Sequence, residues 1–189
     1  MIKFVFAAVA AISVATGLSA AEMKIGAVDM LMLVRNHPNY DSNKELLSST
    51  DKDYQKKLES IKSEGEKFQE EGKKLMEQMQ SPMLADKAKK DIEKQLMEIQ
   101  KKLMAIEQRY RSEAMRCRQD LQDLEGRLLK TTTDDLRKRI RAYADQNGYD
   151  IILDRSATPY VKDALDVSNA ILSGMGVDAS KIKAKNEGK

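Results

Sequence analysis

The chain has no tryptophan, one cysteine, one histidine, three prolines and nine glycines in 189 residues, and aromatics make up 5% of it. Each shortage closes a possibility. A single cysteine, Cys117, excludes an intrachain disulfide even in an oxidising compartment and cannot build a multi-cysteine metal site; it reads as a small hydrophobe on a helix face. His37 has no cysteine or second histidine near it, so no zinc-type ligand set forms there and it reads as a loop or helix-end residue. Few aromatics beside 33% charged residues are poor material for a large spherical core. Scarce proline and glycine leave long stretches of Lys, Glu, Gln, Leu, Met and Ala, which lose little rotamer freedom in a helix. An elongated, mainly helical protein follows.

Catalytic signatures are missing as well. There is no glycine-rich phosphate loop, no two-histidine zinc motif, no paired-cysteine motif and no nucleophile elbow, and scattered acids on helices are by default solvated. The sequence therefore argues against an enzyme and calls for no cofactor and no metal. With 33 basic and 30 acidic residues the formal charge is +3, too weak to point to nucleic acid, and no nucleic-acid motif accompanies it.

Residues 1–21 read as a cleaved export signal. Lys3 precedes an apolar run from Phe4 to Leu18, and Ser19-Ala20-Ala21 supplies the small residues of a cleavage site. The run is shorter than the roughly 20 apolar residues that span a bilayer comfortably. No later segment is long and apolar enough to cross a membrane, and no cysteine follows the signal to accept lipid. A soluble, exported mature chain is expected. Removing the signal takes away Lys3 and no acid, which leaves a formal charge of +2.

Lys24-Ile25-Gly26-Ala27-Val28-Asp29-Met30 alternates in the strand sense, and Asn36-His37-Pro38-Asn39 is dense in turn-formers. From about Asn43, Leu47, Tyr54, Ile61, Phe68 and Leu75 recur every seven residues, with Leu58 and Met79 at the alternate seam positions. The alternate seam also holds Asp51, Gly65 and Gly72; the glycines either permit close helix approach or let the arm flex. Ser81-Pro82 breaks the helix. A second run places Ile92, Leu96, Ile99, Leu103, Ile106 and Tyr110 on one face, slips by one residue, and continues through Cys117 and Leu136 to the stop at Asn147-Gly148.

Two long helices joined by a tight turn must lie antiparallel. The expected architecture is mainly α with a small β part: a helical hairpin over 43–143, turning near 81–84, rooted in a discontinuous β-containing body of 22–42 and 144–177. A flexible tail is expected over 178–189. Asp150-Ile151-Ile152-Leu153-Asp154 reads as a second strand, Thr158-Pro159-Tyr160-Val161 as a further extended piece, and Asp166 to Met175 as a short helix. So few short strands would leave unpaired edges over little core, and subunits are expected to complete the sheet together. The oligomerisation candidates are Ile25, Ala27, Val28, Ile151, Ile152 and Leu153.

The opening Lys24 to Met30, the long charged hairpin, the ending Tyr149-Asp150-Ile151-Ile152-Leu153-Asp154, then Tyr160 and Asp166-Val167-Ser168, together resemble the Skp/OmpH family of periplasmic chaperones. The resemblance covers nearly all of the mature chain and rests on the order and spacing of these segments. It implies a homotrimer with an intersubunit β-barrel body and α-helical arms around a cavity, which binds unfolded outer-membrane β-barrel proteins without ATP.

Two residue sets suit that task. Met76, Met79, Met83, Met97 and Met104 cluster toward the hairpin tip, and the flexible thioether fits surfaces that accept many apolar partners. Met79 sits in the seam; Met76, Met83 and Met97 leave it and are the better client-binding candidates. Lys73, Lys74, Lys87, Lys89, Lys90 and Lys94 make the tip locally basic, which would suit acidic clients or an anionic lipid surface, or be an ordinary solvated coiled-coil face. The rival function is an envelope coiled-coil scaffold or spacer with one dedicated partner.

Overall fold

The structure, a computed structural model, describes residues 23–178, 180 and 182; the export signal expected over residues 1–21 lies outside them. Strand β1 (Ile25–Val28) leads into helix α1 (Met30–Arg35), and α2 (Tyr40–Met79) and α3 (Asp86–Asn147) form the arm. The chain returns through β2 (Ile151–Asp154), two 3-10 turns and helix α4 (Ser168–Gly174).

At 1.5 Å per residue the 40 residues of α2 span about 60 Å and the 62 of α3 about 90 Å. The surplus of α3 runs past the start of α2 into the body. There Leu136 packs with Val28, Leu33, Val167, Ile171, Leu172 and Ile182, while Ile140, Tyr143 and Tyr149 lie against the same cluster. Gln80 to Ala85 makes the turn at the tip, where Pro82 cannot donate a helical hydrogen bond.

β1 and β2 pair in parallel, Ile25 opposite Ile151 and Val28 opposite Asp154. A parallel pair needs a long crossover, and here the crossover includes the whole arm. The end of α3 is fixed against this sheet. Gly148 adopts φ 67°, which lets the Tyr149 N–H donate to the Ala144 carbonyl at 3.0 Å. The Lys24 ammonium donates to the Asn147 carbonyl at 2.8 Å and lies 4.3 Å from the centre of the Tyr149 ring. That ring presses on the strand: a Cβ at Gly26 would lie 3.0 Å from it, so glycine is required by close approach.

Thr158 to Val161, expected as an extended piece, begins extended at Thr158 but joins no sheet, and the residue that bridges to Ala27 beside β1 is Asp166. Within the segment expected to be a tail, Ile182 is 3% exposed and belongs to the core cluster. Of the oligomerisation candidates, Ala27 and Val28 are buried within their own chain and Ile152 packs against its core. The remaining three, Ile25, Ile151 and Leu153, are exposed on the sheet face away from Val28 and Ile152, the face that also carries the buried Ala27. They share that face because side chains alternate along each strand.

Candidate functional site

The arm is held by a narrow seam. Ile61, Ile92, Ile99, Ile106 and Cys117 are buried between the helices, with Gly65 and Gly72 buried among them. A Cβ built on Gly72 would lie 3.6 Å from Ile99 Cγ2 and one on Gly65 would lie 3.4 Å from Ile106 Cγ2. The glycines thus face isoleucines of the opposite helix at a distance where a methyl would make ordinary contact, so close approach does not itself require glycine at either position.

The two flanks of this seam differ. On one flank, ion pairs tie helix to helix: Lys57 to Glu113 and Arg109 to Glu64. On the same side the Lys102 ammonium lies 4.8 Å from the centre of the Phe68 ring and Tyr54 Oη is 3.5 Å from Asp120. The Lys57 ammonium beside Glu113 holds that carboxyl below its ordinary range. Burial, with the Asp120 carboxylate next, pushes the Tyr54 phenol above its own.

On the other flank, among the described residues, no interhelical ion pair is present. A groove runs there instead. In α2 its wall is Lys44, Ser48, Asp51, Gln55, Leu58, Lys62, Glu66, Gln69, Lys73 and Met76, in steps of three and four that keep one helix face over about 50 Å. In α3 it is Leu129, Glu125, Gln122, Arg118, Ala114, Glu107, Met104, Gln100 and Leu96. The groove holds a cavity of about 640 Å³ in its half nearer the body and, toward the tip, two adjoining cavities of about 560 and about 420 Å³ that share Gln69, Gln100 and Leu103, and Gly65 and Gly72 help to line them. Its apolar wall is thus interrupted by amide side chains that both donate and accept hydrogen bonds.

Met76 lines the cavity nearest the tip. Met97 is exposed and stands seven residues before Met104, and Met115 eleven after it, spacings that return a helix to nearly the same face. Met83 lies apart, in the turn and 95% exposed. The methionines other than Met83 therefore gather along one side of the arm, with Met79 at the seam. The lysines do not gather: Lys73 lines the groove, whereas Lys74 makes an i,i+4 pair with Glu70 at 3.2 Å. No ion pair reaches Lys73, Lys87, Lys89, Lys90 or Lys94 among the described residues, so their charge is left to the solvent. Phe68 and Leu96 were read from the sequence as seam residues only, and Gln69, Gln100 and Met115 were not singled out; for Gln69 and Gln100 the signal was the flank one position off the heptad seam.

No group of three or more His, Cys, Asp or Glu side chains that could hold a metal occurs among the described residues, and none of their helices is long and apolar enough to cross a membrane. Cys117 is buried in the seam with Glu113 Oε1 4.0 Å from its sulfur. The family model described as outer membrane protein (OmpH-like) matches residues 24–175, most of the chain. No curated protein matches it.

Proposed function

The chain belongs to the OmpH-like family, and from that membership and the one-sided groove we propose that it is an ATP-independent periplasmic holdase for unfolded outer-membrane proteins. The observation that carries the reading is the asymmetry of the arm. One flank is closed by ion pairs, and the other offers cavities whose apolar lining is interrupted by Gln55, Gln69, Gln100 and Gln122 and by charged side chains such as Asp51, Lys62 and Arg118. An unfolded chain presents apolar side chains together with unpaired backbone N–H and C=O groups. Cavities take the first and glutamine amides serve the second, whatever the sequence. A helical partner satisfies its own backbone and needs an unbroken apolar stripe. The interrupted wall therefore supports client capture over the rival scaffold with one dedicated coiled-coil partner.

Subunits assemble, on this reading, as a homotrimer around the body. The exposed Ile25, Ile151 and Leu153 side chains and the outer edge of β2, which has no strand partner among the described residues, support intersubunit sheet completion into a small barrel. The unpaired tip lysines would draw acidic clients or anionic headgroups, an attraction that falls with salt.

The test is a light-scattering mass of the mature protein alone and after a urea-unfolded outer-membrane β-barrel protein is diluted into it. A trimer that takes up one client and keeps it soluble is expected, and the triple change Met76→Ser, Met83→Ser, Met97→Ser should weaken capture with helicity nearly intact. A monomer or dimer that leaves client aggregation unchanged overturns the proposal.

A further inference from the structure

The one histidine of the chain is buried, doubly hydrogen-bonded and placed where the arm leaves the body. His37 is 7% exposed in the turn between α1 and α2. Its Nε2 lies 3.1 Å from Asp135 Oδ2 on α3, and its Nδ1 lies 3.2 Å from the Asn39 backbone nitrogen. A backbone N–H can only donate, so Nδ1 must carry the lone pair and Nε2 the hydrogen given to Asp135. The surroundings thus select one neutral tautomer and satisfy both ring nitrogens.

Protonation cannot preserve this arrangement. A hydrogen added at Nδ1 points at the hydrogen of Asn39, and two donors then face each other. The link to α3 persists, since Asp135 attracts the charged ring; its carboxyl is held below the ordinary range by the Arg139 guanidinium and by His37, and Arg139 Nε donates to the same oxygen at 2.6 Å. The contact that fails is the one to Asn39, the residue that caps the N-terminus of α2 with no side-chain hydrogen bond of its own. Other charged groups nearby in the chain are Arg35 in the last turn of α1 and Asp41 in the first turn of α2. A cavity of about 320 Å³ lined by His37, Asn39, Asn43, Thr132, Asp135 and Arg139 leaves room for the turn to rearrange.

We propose that His37 is a pH-sensitive latch at the root of the arm: the neutral ring holds the first turn of α2 in place, and the protonated ring stays on Asp135 but releases that turn. The device is distinct from client capture and does not depend on it.

The experiment uses the full mature protein. Nitrogen-15 NMR of the His37 ring at pH 8 should show the Nε2–H tautomer; an Nδ1–H tautomer overturns the proposal. Hydrogen exchange at Asn39 and Tyr40, whose amides donate to the His37 ring and carbonyl, corrected for the intrinsic effect of pH, should then lose on the order of fivefold protection between pH 8 and pH 5, the effect of one net hydrogen bond. In His37→Gln, whose amide can still donate to Asp135 but does not titrate, protection should stay flat over that range. Asp135→Asn, which keeps an acceptor and removes the charge, should move the loss to lower pH and serves alone if His37→Gln does not fold. Flat protection in the parent protein, an equal loss in His37→Gln, or an unmoved midpoint in Asp135→Asn overturns the latch.

Discussion

Replacing Gly72 by alanine should make the arm more stable and a poorer client binder at once. Glycine in a helix interior is about 1 kcal/mol less favourable than alanine. The added methyl would meet Ile99 Cγ2 at 3.6 Å, an ordinary contact, so no clash offsets the gain. For a chain of this size about 1 kcal/mol raises the melting temperature by roughly 2–4 °C. Gly126→Ala is the control: nothing lies within 4 Å of a Cβ there and the residue is exposed on α3, so the same gain should appear away from the tip cavities. Melting followed by circular dichroism at one fixed protein concentration compares the two without an assembly artefact. Suppression of aggregation of a urea-unfolded β-barrel protein then separates them. Gly126→Ala should bind as the parent does, whereas Gly72→Ala, with a methyl beside the cavity that holds Met76, should lose on the order of 1 kcal/mol, a roughly fivefold weaker capture. A destabilised Gly72→Ala protein would refute the packing argument. A stabilised one with unchanged capture would remove the groove from the function.

Gly26→Ala should act with the opposite sign, because its Cβ would sit 3.0 Å from a Tyr149 ring held by Lys24 and stacked on Tyr143; a loss of about 1–3 kcal/mol in thermal unfolding is expected. Asp166→Ala removes the acceptor of the Ser168 N–H at 2.8 Å and the partner of Arg155, and should destabilise the body by about 1–3 kcal/mol while leaving arm helicity intact. Changing Ile151 and Leu153 together to lysine should reduce the light-scattering mass without unfolding the protomer, and an unchanged mass would place the subunit contact elsewhere. Stability should also fall in acid. Lys57 holds Glu113 below its ordinary value of 4.5, so the pair's contribution is complete above that pH and disappears as the carboxyl protonates through its lower folded value. Glu113→Gln should flatten that part of the helicity profile, and an identical profile would show that the pair is idle.

Much of this architecture was legible because its causes are local. The seven-residue recurrence from Leu47 to Leu75 gives an amphipathic helix wherever it occurs, Pro82 ends it, and Asn147-Gly148 supplies the left-handed stop that Gly148 adopts at φ 67°. The arm and both strands follow from such signals. What stayed hidden was set by contacts between distant segments. Gly65 and Gly72 have two readings in sequence, and only the structure shows that they face Ile106 and Ile99 across the seam. Ile182 looked like part of a lysine-rich tail because hydropathy averages over neighbours, whereas burial depends on one side chain joining the core cluster. His37 read as a turn residue, which it is, but its partner Asp135 lies ninety-eight positions away on another helix. In the groove, the heptad marks the seam and says nothing about which flank the ion pairs will close.

That last choice links stability to function in the arm. A two-helix seam with two glycines in its central stretch buries little, since the remaining apolar positions are mostly half exposed, and each flank is a place where further stabilisation could be added. The ion pairs Lys57 to Glu113 and Arg109 to Glu64 sit 7 residues apart on α2 and close one flank. Both are partly solvated pairs whose individual contributions are small, so their larger consequence is geometric: they set the rotation of each helix and thereby fix which residues face away from them. Extending the same pairing to the other flank would stabilise the arm slightly and cover the cavities beside Gly65 and Gly72. The open flank is therefore a feature that marginal stability must support, and arms stiffened there should be the ones that hold unfolded chains least well.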